Sequence, residues 1–241
     1  AVGDLLDDAP FPAARLDATF TVPDEGVPPG TLRGAVEALA DEAERAVRTG
    51  VAIVVIDDGA VGADRAPIPS LLALGAVHHR LVGAGLRSAA SLVVAGDDVR
   101  DTHHVACLLG YGADAVCPRL ALLTVAAEAD ADDSDLSSPE AQENLRTGFE
   151  DGVLKIMSKM GIATVDSYRG AQVFEALTLG ADIVDVCFTG TPSTVGGIGF
   201  DELEADVIAR HRASSLLSPG YYRDKGTRRG GEYHTHNKEV H

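Results

Sequence analysis

The sequence contains no tryptophan, and aromatic residues make up only 5% of it. Packing therefore falls to Ala, Val and Leu. A hydrophobic fraction of 45% supplies enough of them for a core and excludes a disordered chain. Basic residues are also scarce, 20 against 37 acidic ones, for a net charge of −17. A phosphate backbone would be repelled by such a surface, which argues against nucleic-acid binding as the main role. Of the 20 basic residues, 16 are Arg and only 4 are Lys. Cysteine is limited to Cys107, Cys117 and Cys187, an odd number with no C-x-x-C pair. Each lies in an apolar stretch, so the reading is buried free thiols, no metal site and a reducing, cytoplasmic compartment. No run approaches 18 uninterrupted apolar residues, so no membrane span is expected. The opening "AVGDLLDDAP" has neither Met nor a signal-peptide pattern, and the closing "HNKEVH" completes no element. Both ends look cut, as in a piece of a longer chain.

What is present is an alternation of strand and helix. "ATFTV" (18–22) reads as a strand, and "PPGTLRGAVEALADEAERAVRTG" (28–50) as a helix with apolar residues at helical spacing. "VAIVVIDD" (51–58) is a nearly continuous apolar run, the mark of a strand buried on both faces of a parallel sheet. A helix (70–85), a strand (89–97), a helix (98–112) and a short strand (113–118) follow. The acidic, Ser-rich stretch 127–139 reads as a solvated loop, with Ser138 as a cap for the helix that Pro139 opens. Beyond that helix, "ATVDSY" (163–168) and "DIVDVCF" (182–188) read as strands, "GAQVFEALTLG" (170–180) and 200–213 as helices. The expected fold is α/β, a mostly parallel sheet with helices on both faces and an irregular C-terminal tail.

Several constellations are candidates for chemistry. Asp57 and Asp58 end a core strand, at the binding edge of an open α/β sheet; a site and a simple turn cap are about equally supported. The pairs His78–His79 and His103–His104 lie on helices without i,i+4 spacing, so structural hydrogen bonds are favoured over metal ligation. The Gly-rich loop 189–199, with Thr189, Thr191 and Ser193, resembles neither a P-loop nor a dinucleotide fingerprint and reads as a tight turn. "SKMGIATVDSYRGAQ" gathers Ser158, Lys159, Tyr168, Arg169 and Gln172 around a glycine break. These residue types suit a site, with Lys159 alternatively serving its own helix end. No nucleophile, base and orienting group can be assembled from them.

Long runs carry a resemblance. "APIPSLLALGAVHHRLVGAGLR" (66–87), "THHVACLLGYGADAVCPRLAL" (102–122), "GVLKIMSKMGIATVDSYRGAQVFEALTLG" (152–180) and "FTGTPSTVGGIGFDEL" (188–203) resemble the central domain of the glutamate synthase large subunit. "RGGEYHTHNKEV" (229–240) resembles the lead-in to that family's FMN-binding domain. Cys117 and Arg119 stand where the family often has Asn and Tyr, and Thr194 where it often has Arg. The acidic stretch around 129–138 looks specific to this chain. The resemblance implies a central domain over residues 1–213, lacking its earliest part, and a linker with the start of the FMN domain over 214–241.

It further implies a multidomain enzyme making L-glutamate from L-glutamine and 2-oxoglutarate. An amidotransferase domain releases ammonia, a tunnel carries it, and a domain holding FMN and an iron–sulfur cluster uses it. A small electron-transfer subunit or ferredoxin is a further implied partner. On this reading the present residues bind no cofactor and carry no catalytic group. Ser158, Lys159, Tyr168, Arg169, Gln172, Thr189, Thr191 and Ser193 would face other domains or the tunnel. The rival reading is an independent small-molecule-binding module using the strand-end loops. The acid excess with scarce lysine also fits solubility in high salt, and a melting temperature that rises in molar KCl is the expected signature of that adaptation.

Overall fold

Apolar runs become the four parallel strands of one sheet. The computed structural model describes residues 3, 10–24, 30–131 and 136–216. Strands β1 (Ala13–Asp17), β3 (Ile53–Asp57), β5 (Ser91–Ala95) and β6 (Ala115–Cys117) lie in the order β1-β3-β5-β6. Their register aligns Leu16, Ile56, Val94 and Val116 in one row, and Asp17, Asp57, Ala95 and Cys117 in the next. Successive residues of a strand face opposite sides, so the first row belongs to the main core and the second to the other face. A separate antiparallel pair, β2 (Thr19–Thr21) with β4 (Arg65–Pro67), flanks this sheet.

Helices supply the crossovers. Helix α1 (Thr31–Arg48) buries Leu32, Val36, Leu39, Ala40, Ala43 and Val47, the i, i+4, i+7 spacing of one apolar face. It packs beside α2 (Ser70–Gly83), which is buried along most of its length. Asp98 caps α2 by accepting from the Ser70 amide at 2.9 Å. Helix α3 (Thr102–Gly110) is capped by Asp101, which accepts from the His104 amide. The start of α1 is closed from far away in sequence. Glu204 accepts from the amides of Gly30 and Leu32 at 2.9 Å and from the Thr31 hydroxyl at 2.7 Å. This carboxylate is buried, and the helix N-terminus is what makes its burial tolerable. Among the described residues no helix is long and apolar enough to cross a membrane.

The α/β class and the parallel sheet are as the sequence indicates, and so are the helices and parallel-sheet strands read between residues 30 and 118; the short strand β4 went unread. Strand β1 went unread: of its five residues only Leu16 is buried, and there is no continuous apolar run. Beyond β6 the pattern misled more often. Residues 127–131 are not loop but the end of α4 (Arg119–Ala131). Helix α5 (Ser138–Met160) is capped by Ser137 rather than Ser138, through bonds from the Ser137 amide and hydroxyl to Glu140. It stops at Gly161, whose φ of 71° is the left-handed cap glycine favours.

"ATVDSY" is not a strand. Thr164 accepts from the Ser167 amide and starts the one-turn helix α6 (Val165–Tyr168). "GAQVFEALTLG" is not a helix. Gln172 and Thr178 both have positive φ, which interrupts any helix, and the run ends in the strand β7 (Thr178–Leu179). "DIVDVCF" forms the helix α7 (Ala181–Cys187) rather than a strand, burying Ile183, Val184 and Cys187 against α2. Strand β8 (Gly197–Ile198) pairs parallel with β7, and α8 (Phe200–Leu216) follows. The linker was expected from residue 214, but α8 continues to Leu216; residues 217–241 of that expectation lie outside the described residues.

Two glycines on helices separate tight from open packing. A Cβ on Gly75 of α2 would sit 2.1 Å from the Cys187 carbonyl oxygen, whereas one on Gly34 of α1 meets nothing within 4 Å. Gly75→Ala should lower stability by roughly 1–3 kcal/mol through overpacking. Gly34→Ala should raise it by up to about 1 kcal/mol through helix propensity. Urea denaturation of the two variants checks the contrast.

Candidate functional site

The C-terminal ends of parallel strands collect side chains at one edge, and here they collect carboxylates. The Arg119 guanidinium spans three of them. Its Nη1 donates to Asp57 at 2.8 Å, its Nη2 to Asp58 at 2.5 Å and its Nε to Asp97 at 2.9 Å. Arg15 reaches the other oxygen of Asp57 at 2.9 Å. Asp57 also accepts from the Gly59 amide, and Asp58 from the Asp97 amide at 2.8 Å. Asp57 and Asp58 are thus consumed by turn caps and internal ion pairs. Their partner, Arg119, was not found from sequence. Nothing in spacing links position 119 to 57, although an arginine directly after a strand-ending proline was a signal.

Burial, opposed by Arg119 and by the Asp97 amide, pushes the Asp58 carboxyl up to about 6. The Arg119 guanidinium is held above its ordinary range by the hydrogen bond to Asp97 first, then by those to Asp57 and the charge of Asp58. Attraction wins for the arginine because its fork meets three acids. Desolvation wins for Asp58 because it is almost fully buried.

The other edge of the fold holds the sequence candidates. Gly110 and Tyr111, at the end of α3, organise them. The Gly110 carbonyl accepts from the Gly170 amide at 2.8 Å, and a Cβ on Gly110 would sit 2.4 Å from the Phe174 ring. Tyr111 stacks on Phe174, meets Phe188 edge-on at 5.1 Å, and bonds Thr191 through its hydroxyl at 2.7 Å. Tyr168 is fully buried beside Phe174, and its hydroxyl has no hydrogen-bond partner among the described residues. Arg169 pairs with Asp114 at 3.0 Å, and Asp114 also holds Arg87 at 2.9 Å.

The structure therefore brings Tyr168, Arg169, Gln172, Thr191 and Ser193 together in one block of loops. Ser193 donates to the Leu179 carbonyl at 3.1 Å and Thr194 to Glu175 at 2.7 Å. Thr189 donates to the Asp185 carbonyl at 2.8 Å. Ser158 and Lys159 stand apart, exposed on the last turn of α5. Lys159 takes no ion-pair partner among the described residues.

The histidines serve structure. His78 accepts from Arg87 at 3.1 Å, and burial, followed by the charges of His79 and Arg87, pushes its pKa down to about 4. His104 accepts from the Arg100 amide at 3.1 Å, while His103 lies 3.5 Å from the Cys107 sulfur. All three cysteines are free; burial pushes Cys107 up to about 11 and Cys187 up to about 12. Such thiols are not nucleophiles at neutral pH. Among the described residues no group of three or more His, Cys, Asp or Glu is arranged to hold a metal. A cleft of about 780 Å³ opens between β6, α3 and the α4–α5 pair. Val93, Val105, Val116 and Met157 line it, with Arg146 between Glu143 and Glu150 on its wall.

Residues 2–180 match the family model described as the glutamate synthase central domain. The chain belongs to that family. Within it, this central-domain chain is 42% identical over 207 residues to the Bacillus subtilis glutamate synthase [NADPH] large chain, a match covering 83% of this chain and 14% of that one. It is 40% identical to the Schizosaccharomyces pombe glutamate synthase [NADH], covering 94% of this chain and 11% of that one. It is 36% identical to the ferredoxin-dependent glutamate synthase of Pyropia yezoensis, covering 94% and 16%. The chain thus spans about one-seventh of the length of these relatives. Ser158, Lys159, Tyr168, Arg169 and Gln172 lie inside the stretch matched by the central-domain model; Thr189, Thr191 and Ser193 lie beyond it.

The raised carboxyl of Asp58 has a signed consequence. The folded chain binds this proton more tightly than the unfolded chain does, so stability falls as pH rises from about 4 to about 6. Asp58→Asn keeps an acceptor for Arg119 and should flatten that part of the profile. Urea melts of both proteins between pH 4 and 7 read the difference.

Proposed function

We propose that these residues form the connecting domain of a glutamate synthase, an enzyme making L-glutamate from L-glutamine and 2-oxoglutarate by reductive ammonia transfer. The observation that carries the reading is the central-domain match over residues 2–180, in a chain whose polar clusters close on themselves. The carboxylates at the sheet edge bind Arg119 and Arg15, His78 and His104 accept from neighbours, and the thiols stay protonated. Among the described residues the groups left without partners, such as Lys159 and the buried Tyr168 hydroxyl, do not assemble into a nucleophile, base and orienting set. The domain's work is then geometric: it holds an amidotransferase domain and an FMN domain at a fixed separation, and its loops border the path of ammonia between them.

FMN and an iron–sulfur cluster belong to other parts of such an enzyme. The thiols here stand on α3, β6 and α7 and do not fit a cluster, so no step is derived through either group. The relatives' names specify NADPH, NADH or ferredoxin, so an electron-transfer subunit or ferredoxin is the further partner of the whole enzyme. A cytoplasmic setting and tolerance of high salt complete the reading.

Lys159 and Arg169 are the candidates for keeping the two half-reactions in step. In the complete enzyme, Lys159→Ala or Arg169→Ala should let glutamine hydrolysis outrun glutamate formation. Parallel assays of ammonia release and glutamate production measure the ratio. A ratio unchanged from the parent enzyme removes these residues from any coupling role.

A further inference from the structure

The block of loops between α6 and α8 is polar in composition, yet most of its hydroxyls and its arginine are spent. Thr191 is taken by Tyr111, Ser193 by the Leu179 carbonyl, Thr194 by Glu175, and Arg169 by Asp114. Beside exposed polar residues such as Gln172 and Glu175, the block leaves four aliphatic side chains in solvent. Val195 is 76% exposed, Leu177 63%, Ile198 40% and Val173 39%. All four lie in the segments 171–179 and 192–198, which run side by side. The Ala176 amide donates to the Pro192 carbonyl at 2.9 Å, and β7 pairs with β8 at their ends.

Residues 173–177 behave as an extended segment without a sheet. Phe174 and Ala176 turn inward; Val173, Glu175 and Leu177 turn outward, the alternation of a strand with one wet face. Two side-chain-bearing residues with positive φ, Gln172 at 53° and Thr178 at 62°, bracket it. A β-branched threonine there is a true backbone outlier. The crossing that enforces it is close: a Cβ on Gly197 would lie 2.0 Å from the Thr178 carbonyl oxygen. Strain of this kind collects where a surface is shaped for contact.

We infer that Val173, Leu177, Val195 and Ile198 form an apolar docking strip for another domain of the same polypeptide, one that presents aliphatic side chains. The occupant follows from length and from chemistry. Relatives about 40% identical carry this region as only 11–14% of their own chains, so a neighbour in the same polypeptide is at hand. The strip is mainly aliphatic: Arg169 is engaged by Asp114, and the one charge set among the four is Glu175, which accepts from the Thr194 hydroxyl. The inference rests on the connecting-domain reading and names the surface that reading left open.

Thiols introduced by Val195→Cys and, separately, Leu177→Cys in the complete polypeptide test it. Both positions face solvent in this structure, so either substitution is tolerated by the fold itself. The rate of maleimide labelling of each native protein is compared with that of the same variant in urea. At least tenfold slower native labelling, independent of protein concentration, is the expected result. Native labelling within about threefold of the unfolded rate overturns the strip. Protection that grows with protein concentration also overturns it, in favour of a second copy of the chain. Protection at both positions with unaltered coupling in Lys159→Ala separates the two readings: the contact then stands and the coupling role falls.

Discussion

An arginine fork set among three carboxylates is the constraint on which the sheet edge depends. Parallel strands deliver Asp57, Asp58 and Asp97 to the same edge, and two of these are nearly buried. Leaving such charges unpaired costs several kcal/mol. A lysine concentrates its charge and donors on one nitrogen; a planar guanidinium spreads them over three nitrogens, and here each nitrogen meets a different acid. Arg119 is also the first residue of α4, so neutralising the edge fixes where that helix leaves the sheet. The composition reads differently in this light. Arg87 and Arg169 with Asp114 and Arg119 with its three acids are part-buried braces, while Arg65 with Asp17 and Arg80 with Asp41 tie elements together at the surface. Lys155 and Lys159 take no ion-pair partner among the described residues. The arginine excess is architecture as much as surface chemistry.

A second closure joins the ends of the fold. Glu204 on α8 caps α1, across more than 170 positions of sequence. Between these anchors, Tyr111, Phe174, Phe188 and Tyr168 form one aromatic block in a chain that has few aromatics. It fastens the loops after α5 to the end of α3, and Gly110 is the gap that admits Phe174. The loops are irregular, but their position is not.

Legibility in the sequence followed the kind of signal available. Strands β3 and β5 and helices α1 and α2 were readable because burial wrote a period into them: continuous apolar runs for buried strands, i and i+4 spacing for helices. The segments after α5 were not. "DIVDVC" is apolar and β-branched, which favours a strand by propensity. What made it a helix is the notch at Gly75 on α2, a tertiary fact that no local window contains. "AQVFEAL" fits a helical period by coincidence, and only the backbone angles at Gln172 and Thr178 break it. Asp57 and Asp58 were found as candidates, but the choice between site and cap turned on Arg119, more than 60 positions away.

That difference bears on where interaction surfaces hide. Sequence reading picks polar and charged residues, because those types carry chemistry in isolation. In this fold most of the polar candidates turn inward onto one another: Thr191 onto Tyr111, Ser193 onto a carbonyl, Arg169 onto Asp114. A polar group satisfied within its own domain gains little by moving to a partner, since one hydrogen bond or ion pair is exchanged for another. An aliphatic group left in water gains roughly 25 cal/mol for each Å² that a partner covers. The residues with most to gain from a neighbour are therefore Val195 and Leu177, not the hydroxyls beside them. Lys159 is the exception among the charged candidates, because none of the described residues forms an ion pair with it. A contact that combines the aliphatic strip with this one lysine would set position through burial and orientation through a single charge.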